Sequence, residues 1–282
     1  MKSLQDYYIL KNGVKIPCMG FGTWRLENNQ KSIDIIKTAI DCGYRHIDTA
    51  FSYQNEKAVG KAVRDSGLKR EQLFVTSKLN NPSHGYENTL KEFNQTMTNL
   101  DIDYLDLYLI HWPRPLQFRN NWKEVNEGSW KAFEELYEAG KVRAIGVSNF
   151  LQHHIEPIVE KSSIGPMVNQ LELHPQYVQR DTVKYCKDND MVIEAWSPLI
   201  KGQFDNPILL EIANKYNKSV AQVLLRWSLQ HNFLPLPKSS SADRMKENAD
   251  VFNFELSSED IEAMKELEKL GRTGAHPDTA PF

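Results

Sequence analysis

Short β-rich runs alternate with amphipathic helical patterns from one end of the 282-residue chain to the other. Between the β-rich runs, apolar residues recur at three- and four-residue spacing, as at Ile33, Ile36 and Ile40, which indicates helices with one packing face. This alternation is typical of repeated βα units around a parallel sheet. The sequence predicts an α/β fold, a (β/α)8 or TIM barrel, with strands at residues 18–22, 45–48, 73–78, 104–111, 142–148, 167–171, 192–196 and 233–237.

Two segments lie outside this repeat. Asn12-Gly13 stands between two β-rich runs and predicts a tight N-terminal β-hairpin, which would close the bottom of the barrel. Ser257 precedes Asp260 by three residues and apolar residues follow at helical spacing, so we expect an additional capped C-terminal helix. No linker or low-complexity tract interrupts the chain, and we expect residues 1–282 to form a single domain.

The charge balance argues against several classes of partner. The chain has 34 basic and 37 acidic residues, a net charge of −3, and no run of five basic residues, so we expect no nucleic-acid partner. It has no stretch of 18 apolar residues and no apolar segment typical of a signal peptide near Met1, so we expect no membrane association and a cytoplasmic location. Cys18, Cys42 and Cys186 form no C-x-x-C motif, which favours reduced thiols.

Chemically capable side chains recur where the predicted strands end. In a (β/α)8 barrel these ends share one rim, where active sites are built. A single polar residue at a strand end is commonly a solvated surface group, but the repetition predicts a site at this rim. The residues are Asp48, Lys78, His111, Ser148, Asn149, Gln170 and Lys238.

Four residues make chemical sense together. A tyrosine such as Tyr53 has an ordinary pKa of about 10, too high for efficient proton transfer unless the phenolate is stabilised. The ammonium of Lys78 would lower that pKa, and Asp48 would hold the ammonium in place. His111 would donate a hydrogen bond to the substrate oxygen that receives the Tyr53 proton. Spacing alone leaves a simpler alternative open, a surface Asp48–Lys78 ion pair beside a half-buried tyrosine.

The sequence lacks the usual nucleotide-binding loops. Gly20-Phe21-Gly22 has no third glycine at the spacing of a dinucleotide fingerprint, and no G-x-x-x-x-G-K-[ST] motif occurs. The best candidate for a phosphate site is the segment 236–248, where Lys238, three serines and Arg244 surround a predicted helix start. The alternative for this segment is a serine N-cap beside solvated charges.

Metal and hydrolase motifs are missing. No H-E-x-x-H and no G-x-S-x-G occurs in the sequence. His153 and His154 are adjacent on a predicted helix, so we expect their side chains to diverge and to bind no metal.

Three long motifs carry a family resemblance that runs from about Asn12 to Leu267. GYRHIDTAFSYQNEKAVG (43–60), KVRAIGVSNF (141–150) and LPKSSSADRMKEN (236–248) resemble the signature segments of the aldo-keto reductase family, and EAWSPL (194–199) is similar to a fourth. The chain is most similar to prokaryotic reductases of small dicarbonyls such as methylglyoxal and diketogluconate.

The resemblance implies an NADPH-dependent reductase of aldehydes, small dicarbonyls and keto-sugars, with NADPH or NADP+ extended across the barrel rim. It makes Asp48, Tyr53, Lys78 and His111 the catalytic tetrad, and it places Trp24, Trp112 and Trp122 in the substrate pocket. The remaining matched residues would bind the cofactor: Ser148, Asn149, Gln170 and Trp196 at the nicotinamide; Ser197, Leu199 and Gly202 at the pyrophosphate; Lys238, Ser239, Ser240 and Arg244 at the 2′-phosphate; Glu247 and Asn248 at the adenine; and Gly22 and Thr23 along the rim.

The sequence departs from the family pattern at three places, and two competing functions stay open. Trp196 stands where many relatives have tyrosine, and both rings can stack on the cofactor. The loop 197–207 is short compared with relatives that clamp the cofactor under a long flap, which bears on how strongly the cofactor is retained. The short C-terminal tail predicts an open pocket and broad substrate tolerance, and we expect a monomeric enzyme for small-molecule carbonyl substrates. One competing hypothesis is an aldolase-like barrel in which Lys78 forms a Schiff base. Another is a cofactor-sensing or structural barrel without catalysis.

Overall fold

Eight parallel strands form one sheet in their order along the chain, in a computed structural model that describes residues 1–282. The Gly22 N–H donates to Pro237 O at 3.0 Å across the two edges, which nearly closes the sheet into a barrel. The predicted (β/α)8 barrel is thereby confirmed, with all eight strands close to their predicted positions. Its strands are β3 (Gly20–Gly22), β4 (His46–Asp48), β5 (Phe74–Leu79), β6 (Leu107–Ile110), β7 (Ile145–Ser148), β8 (Val168–Glu172), β9 (Val192–Trp196) and β10 (Leu234–Pro235), after the hairpin strands β1 (Tyr7–Ile9) and β2 (Lys15–Pro17).

Helices follow the barrel strands and cover the outside of the sheet. Ser219 and Ser257 accept hydrogen bonds from backbone N–H groups three residues later and so cap two of these helices. The additional C-terminal helix predicted from Ser257 and Asp260 is therefore confirmed. None of the helices has the length and hydropathy needed to cross a lipid bilayer. They are α1 (Gln30–Asp41), α2 (Glu56–Arg64), α3 (Tyr86–Leu100), α4 (Trp122–Glu138), α5 (Gln152–Lys161), α6 (Arg180–Asp188), α7 (Pro207–Tyr216), α8 (Val220–Gln230), α9 (Ala242–Ala249) and α10 (Ser258–Met264).

The predicted hairpin lies at the N-terminal ends of the barrel strands. Gly13 has a φ of +85°, the left-handed conformation that favours glycine in a tight turn. Asn12 accepts from Val14 N–H at 3.1 Å and donates to Arg143 O at 2.9 Å, just before β7. Tyr8 O–H donates to Phe233 O at 3.3 Å, just before β10. These bonds hold the hairpin across the bottom of the barrel, opposite the rim where active sites form.

Alternate residues of the strands face the barrel interior, and several of them are polar. The strand register places Asp48 beside Thr76 and Gln170 beside Glu194. Lys78 follows Thr76 by two residues, so it points to the same side of the sheet one step nearer the rim. The upper part of the barrel interior is therefore a polar layer.

The C-terminal tail crosses the rim of the barrel. Glu172, the last residue of β8, accepts hydrogen bonds from the N–H groups of Thr273 at 2.6 Å and Gly274 at 3.0 Å. Further along the tail, the ring of Phe282 packs edge-on against Trp112, with 5.0 Å between ring centroids. The tail therefore covers part of the pocket, whereas its short length predicted an open pocket.

Candidate active site

A cavity of about 1340 Å³ opens at the C-terminal ends of the barrel strands. Asp48, Tyr53 and His111 lie in its wall, and the cavity continues from them toward the start of α9. The other predicted residues that line it are Gly22, Trp24, Trp112, Ser148, Asn149, Gln170, Trp196, Ser197, Leu199, Gly202, Lys238, Ser239, Ser240, Arg244, Glu247 and Asn248.

Lys78 and Asp48 form an ion pair that is buried beneath the cavity wall. The Lys78 ammonium donates to both Asp48 carboxylate oxygens, at 2.7 and 2.8 Å, and to Thr49 O at 2.9 Å. Burial lowers the pKa of Lys78, but the Asp48 charge, the hydrogen bonds to Asp48 and the other nearby acidic groups together outweigh burial, and the pKa is raised. Lys78 is therefore a fixed cation whose three N–H bonds are all used, and the pair is not the surface ion pair of the simpler alternative.

Tyr53 ends a short 3₁₀ turn, Phe51–Tyr53, that follows β4 and places its half-buried ring at the cavity. The Lys78 ammonium lies 5.1 Å from the centroid of this ring. Burial raises the pKa of the Tyr53 phenol more than the Lys78 charge lowers it. The predicted lowering of the Tyr53 pKa is therefore wrong in net direction. Loss of water around the phenolate raises this pKa more than the Lys78 charge lowers it, because Asp48 partly neutralises Lys78. At neutral pH Tyr53 is a protonated phenol, the form that can donate a proton.

His111 lies beside Tyr53, with 5.7 Å between their ring centroids. Burial, with the nearby Lys78 charge, lowers the pKa of His111 well below its ordinary value, so the ring is neutral. Ser52 Oγ lies 3.4 Å from His111 Nδ1. A neutral imidazole that accepts at Nδ1 carries its proton on Nε2. His111 can then donate a hydrogen bond from Nε2 to a substrate oxygen.

A hydrogen-bond chain links Trp196, Asn149 and Ser148 in the cavity wall to His111. Trp196 Nε1 donates to Asn149 Oδ1 at 2.8 Å, and Asn149 Nδ2 donates to His111 O at 3.0 Å and to Ser148 Oγ at 3.1 Å. Ser148 Oγ donates in turn to Gln170 O at 3.0 Å. The Asn149 side chain thus uses its hydrogen-bonding groups to hold Trp196 and His111 in place.

The tail supports the Trp196 ring from one side. A side chain at Gly274 would collide with Trp196 Cη2, and Glu172 holds the Gly274 backbone in this position. Close approach of backbone to ring therefore requires glycine here. Trp196 and Gly274 both line the cavity.

A positively charged end of the cavity lies at the start of α9. Lys238 and Arg244 have exposed side chains, and Ser241 accepts from Arg244 N–H as the N-cap of α9. Burial and the neighbouring charge of Arg25 lower the pKa of Lys238. Unpaired cations next to a helix N-terminus favour an anion such as a phosphate. The residues present therefore fit the phosphate end of a dinucleotide.

Besides Lys78, two predicted site residues lie away from the cavity surface. Thr23 is fully buried and its hydroxyl donates to Asp48 O at 2.9 Å, so it joins β3 to β4 and does not face a cofactor. Trp122 begins α4, and its ring packs against His154 on α5 with 5.0 Å between centroids. The assignment of Trp122 to the substrate pocket is corrected, because the direction of α4 turns this ring toward the neighbouring helix.

His153 and His154 converge on Asp278 of the tail, contrary to the expected divergence. Both Nε2 atoms lie 3.0 Å from Asp278 Oδ1, a grouping that resembles a metal site. However, Leu151 N–H donates to His154 Nδ1 at 3.1 Å, which leaves the His154 proton on Nε2. A metal would need that nitrogen deprotonated, and Arg114 adds a positive charge 3.1 Å from Asp278. The three residues form a hydrogen-bonded anchor for the tail.

Sequence reasoning missed several residues that line or support the cavity. Arg25 lies three residues after the end of β3, and its guanidinium lies 4.2 Å from the centroid of the Trp24 ring. Glu194 is a carboxylate inside an apolar strand, a signal that the sequence contained. Phe282 and Gly274 come from a tail with no periodic pattern, so no signal pointed to them.

A buried lysine–aspartate pair beneath a tyrosine and a neutral histidine, in a cavity of about 1340 Å³ with basic residues at one end, defines a barrel oxidoreductase that acts on carbonyl groups. Comparisons with known proteins agree with this class. Residues 18–269 match the model of the Aldo/keto reductase family. The chain is 48% identical over 281 residues to glyoxal reductase of Bacillus subtilis (strain 168). This alignment covers 99% of each protein.

Solved structures give the same result. An aldo/keto reductase from Brucella melitensis is 42% identical, with a TM-score of 0.89 over 95% of this chain and 99% of that chain. A mutant of Gox0644 in complex with NADPH is 38% identical, with a TM-score of 0.91 over 99% of both chains. The chain therefore belongs to the aldo/keto reductase family and is an oxidoreductase of carbonyl compounds.

Proposed function

We propose that this enzyme reduces small dicarbonyl compounds and simple aldehydes to alcohols, with Tyr53 as the general acid. The observation that carries the proposal is the position of Tyr53 and His111 in the cavity wall above the buried Asp48–Lys78 pair. The cofactor is NADPH, which supplies a hydride from its nicotinamide ring when bound. The 48% identity to a glyoxal reductase supports the substrate class.

The chain's own residues would supply the proton and the orientation. Tyr53 gives its phenolic proton to the carbonyl oxygen while the carbonyl carbon accepts the hydride. The Lys78 ammonium stabilises the phenolate that forms, and His111 Nε2–H donates to the same oxygen and orients it. In alcohol oxidation the same groups act in reverse, with the Tyr53 phenolate taking the hydroxyl proton.

The cofactor is assigned to the elongated part of the cavity. Gln170 Nε2 donates to two buried carboxylates, so its Oε1 is the atom left to accept from the nicotinamide carboxamide. Trp196, which lines the cavity, would stack on the nicotinamide ring. Along the rest of the cavity, Gly22, Ser197, Leu199 and Gly202 would border the pyrophosphate, Lys238, Ser239, Ser240 and Arg244 the 2′-phosphate, and Glu247 and Asn248 the adenine.

The substrate would enter between aromatic side chains at the mouth of the cavity. Trp24 is half exposed there, and Trp112 and Phe282 form the opposite wall. All three side chains present apolar ring surfaces to the cavity. They support a broad range of small carbonyl substrates.

The geometry counts against the Schiff-base alternative. A Schiff base requires a free amine in contact with the substrate, whereas Lys78 is a charged ammonium with three hydrogen bonds, buried below the cavity wall. The fixed charge of Lys78 supports its role as partner of Tyr53.

Substrate preference is tested by measuring NADPH oxidation with methylglyoxal, glyoxal, aromatic aldehydes, aldoses and diketogluconate. We expect the highest kcat/KM for the small dicarbonyls and aromatic aldehydes, because the aromatic walls favour compact or planar carbonyl compounds. A kcat/KM for aldoses that exceeds those values would contradict the proposed substrate class.

Lys238→Ala is expected to weaken NADPH binding roughly tenfold or more, because a charge-assisted contact to the 2′-phosphate is lost. NADH has no 2′-phosphate, so its affinity is expected to change less than about twofold. Quenching of tryptophan fluorescence measures both dissociation constants. Lys246→Ala is the matched control, since Lys246 lies on the same helix but outside the cavity lining. Equal losses for the two cofactors in Lys238→Ala would disprove the phosphate assignment.

A further inference from the structure

Glu194 is a fully buried carboxyl in the barrel interior, below the cavity. The Gln170 amide nitrogen donates to Glu194 Oε2 at 2.7 Å and to Asp48 Oδ2 at 2.8 Å. Two carboxyl groups therefore share one amide donor. Glu194 Oε1 has no hydrogen-bond partner, and the nearest basic atom is His46 Nε2 at 3.8 Å.

No cationic side chain is bound directly to Glu194, and the more distant Lys78 charge lowers its pKa less than burial raises it. On β4, burial lowers the pKa of His46 to about 3, so this ring is neutral, and Asp48 is the other titratable group. On β5, Lys78 is bound at short distance to both Asp48 oxygens. Gln170 on β8 is uncharged, and β3 and β10 carry no titratable side chain. An ionised Glu194 would be a buried charge without a partner, which is costly.

We propose that Glu194 is a positioning residue of the catalytic cluster: it keeps its proton during carbonyl reduction, so that the Lys78 charge is balanced by Asp48 alone and stays available to the phenolate of Tyr53. The inference rests on the proposed reductase function. Burial, reinforced by the Asp48 charge, raises the pKa of Glu194 to about 8. Glu194 therefore ionises just above neutral pH.

Ionisation of Glu194 has a defined effect on catalysis. A second negative charge in the same layer offsets the Lys78 ammonium and makes the Tyr53 phenolate less stable. Tyr53 becomes a weaker proton donor, and carbonyl reduction slows as the pH rises above the pKa of Glu194. The rate constant then depends on a residue that touches neither substrate nor cofactor.

Glu194→Gln tests the proposal, since glutamine keeps the shape and can still accept from Gln170 without ever carrying a charge. With 4-nitrobenzaldehyde and saturating NADPH, wild type and Glu194→Gln are expected to have kcat values within about threefold of each other at pH 6. Between pH 7 and pH 9.5 we expect the wild-type kcat to fall roughly three- to tenfold, and that of the variant less than about twofold.

A stability measurement tests the protonation of Glu194 without catalysis. Because the folded-state pKa lies above the ordinary 4.5, the stability that this carboxyl contributes is complete below about pH 4.5 and is lost as the pH rises through about 8. The melting temperature of Glu194→Gln minus that of wild type should therefore be larger at pH 9 than at pH 5, by at least about 4 °C. This result is expected even if the aldehyde is not a substrate.

Glu92→Gln is the matched control. Glu92 is buried on α3 outside the barrel, and burial raises its pKa to about 7. This variant should show a similar pH-dependent change in melting temperature but the wild-type pH profile of kcat. The proposal is overturned if the kcat profiles of Glu194→Gln and wild type superimpose, if Glu194→Gln is inactive at pH 6 although folded, or if its melting-temperature difference does not depend on pH.

Discussion

Tyr53→Phe is expected to lower kcat for aldehyde reduction by about 10²- to 10⁴-fold, the range for loss of a general acid, while NADPH affinity stays within about threefold of wild type. The Tyr53 phenol faces the cavity beside Lys78, which stabilises the phenolate left after proton transfer, and phenylalanine keeps the ring in its place. Stopped-flow measurement of NADPH oxidation gives the rate, and fluorescence quenching gives the affinity.

The matched control for this prediction is Tyr7→Phe. Tyr7 belongs to hairpin strand β1 at the opposite end of the barrel and is 42% exposed, so loss of its hydroxyl should leave turnover unchanged. If Tyr53→Phe retained more than about a tenth of wild-type turnover, Tyr53 would not be the general acid.

Lys78→Met is expected to reduce both turnover and the free energy of unfolding, the latter by about 3–5 kcal/mol. The substitution leaves the Asp48 carboxylate buried with only the Gln170 amide as a side-chain partner. It also removes the cation that stabilises the Tyr53 phenolate. Urea denaturation followed by circular dichroism measures the stability change.

The double variant Asp48→Asn with Lys78→Met separates the two effects. It removes both charges, so much of the lost stability should return, because no unpaired charge remains in the barrel. Turnover should stay low, since the cation next to Tyr53 is still missing. A single Lys78→Met variant as stable as wild type would show that the buried pair does not carry the energy inferred from its geometry.

Much of the fold could be predicted because its signals are local. Asn12-Gly13 specifies a tight turn by backbone conformation, and Ser257 with Asp260 specifies a helix start by reciprocal hydrogen bonds. The spacing of apolar residues marked the strands and helices. Once eight βα units are counted, the barrel rim brings Asp48, Lys78 and His111 together.

Other features depend on directions that spacing does not contain. The rings of His153 and His154 were expected to diverge, yet side-chain torsions bring both to Asp278 of the distant tail. The family resemblance places Trp122 in the substrate pocket, but α4 turns the ring toward α5. The single domain, the monomeric state and the cytoplasmic location stay predictions.

The sequence by itself determined the order of the strands, the chemistry of the rim and the family resemblance, because these follow from local patterns and residue types. Only the tertiary structure decided the charge states within the cluster. It showed that burial outweighs the Lys78 charge at Tyr53, and that Asp48 and Glu194 share one Gln170 amide. Protonation inside the barrel depends on dehydration and on the distances between side chains from four strands. Because these residues are far apart in the sequence, the sequence does not give those distances.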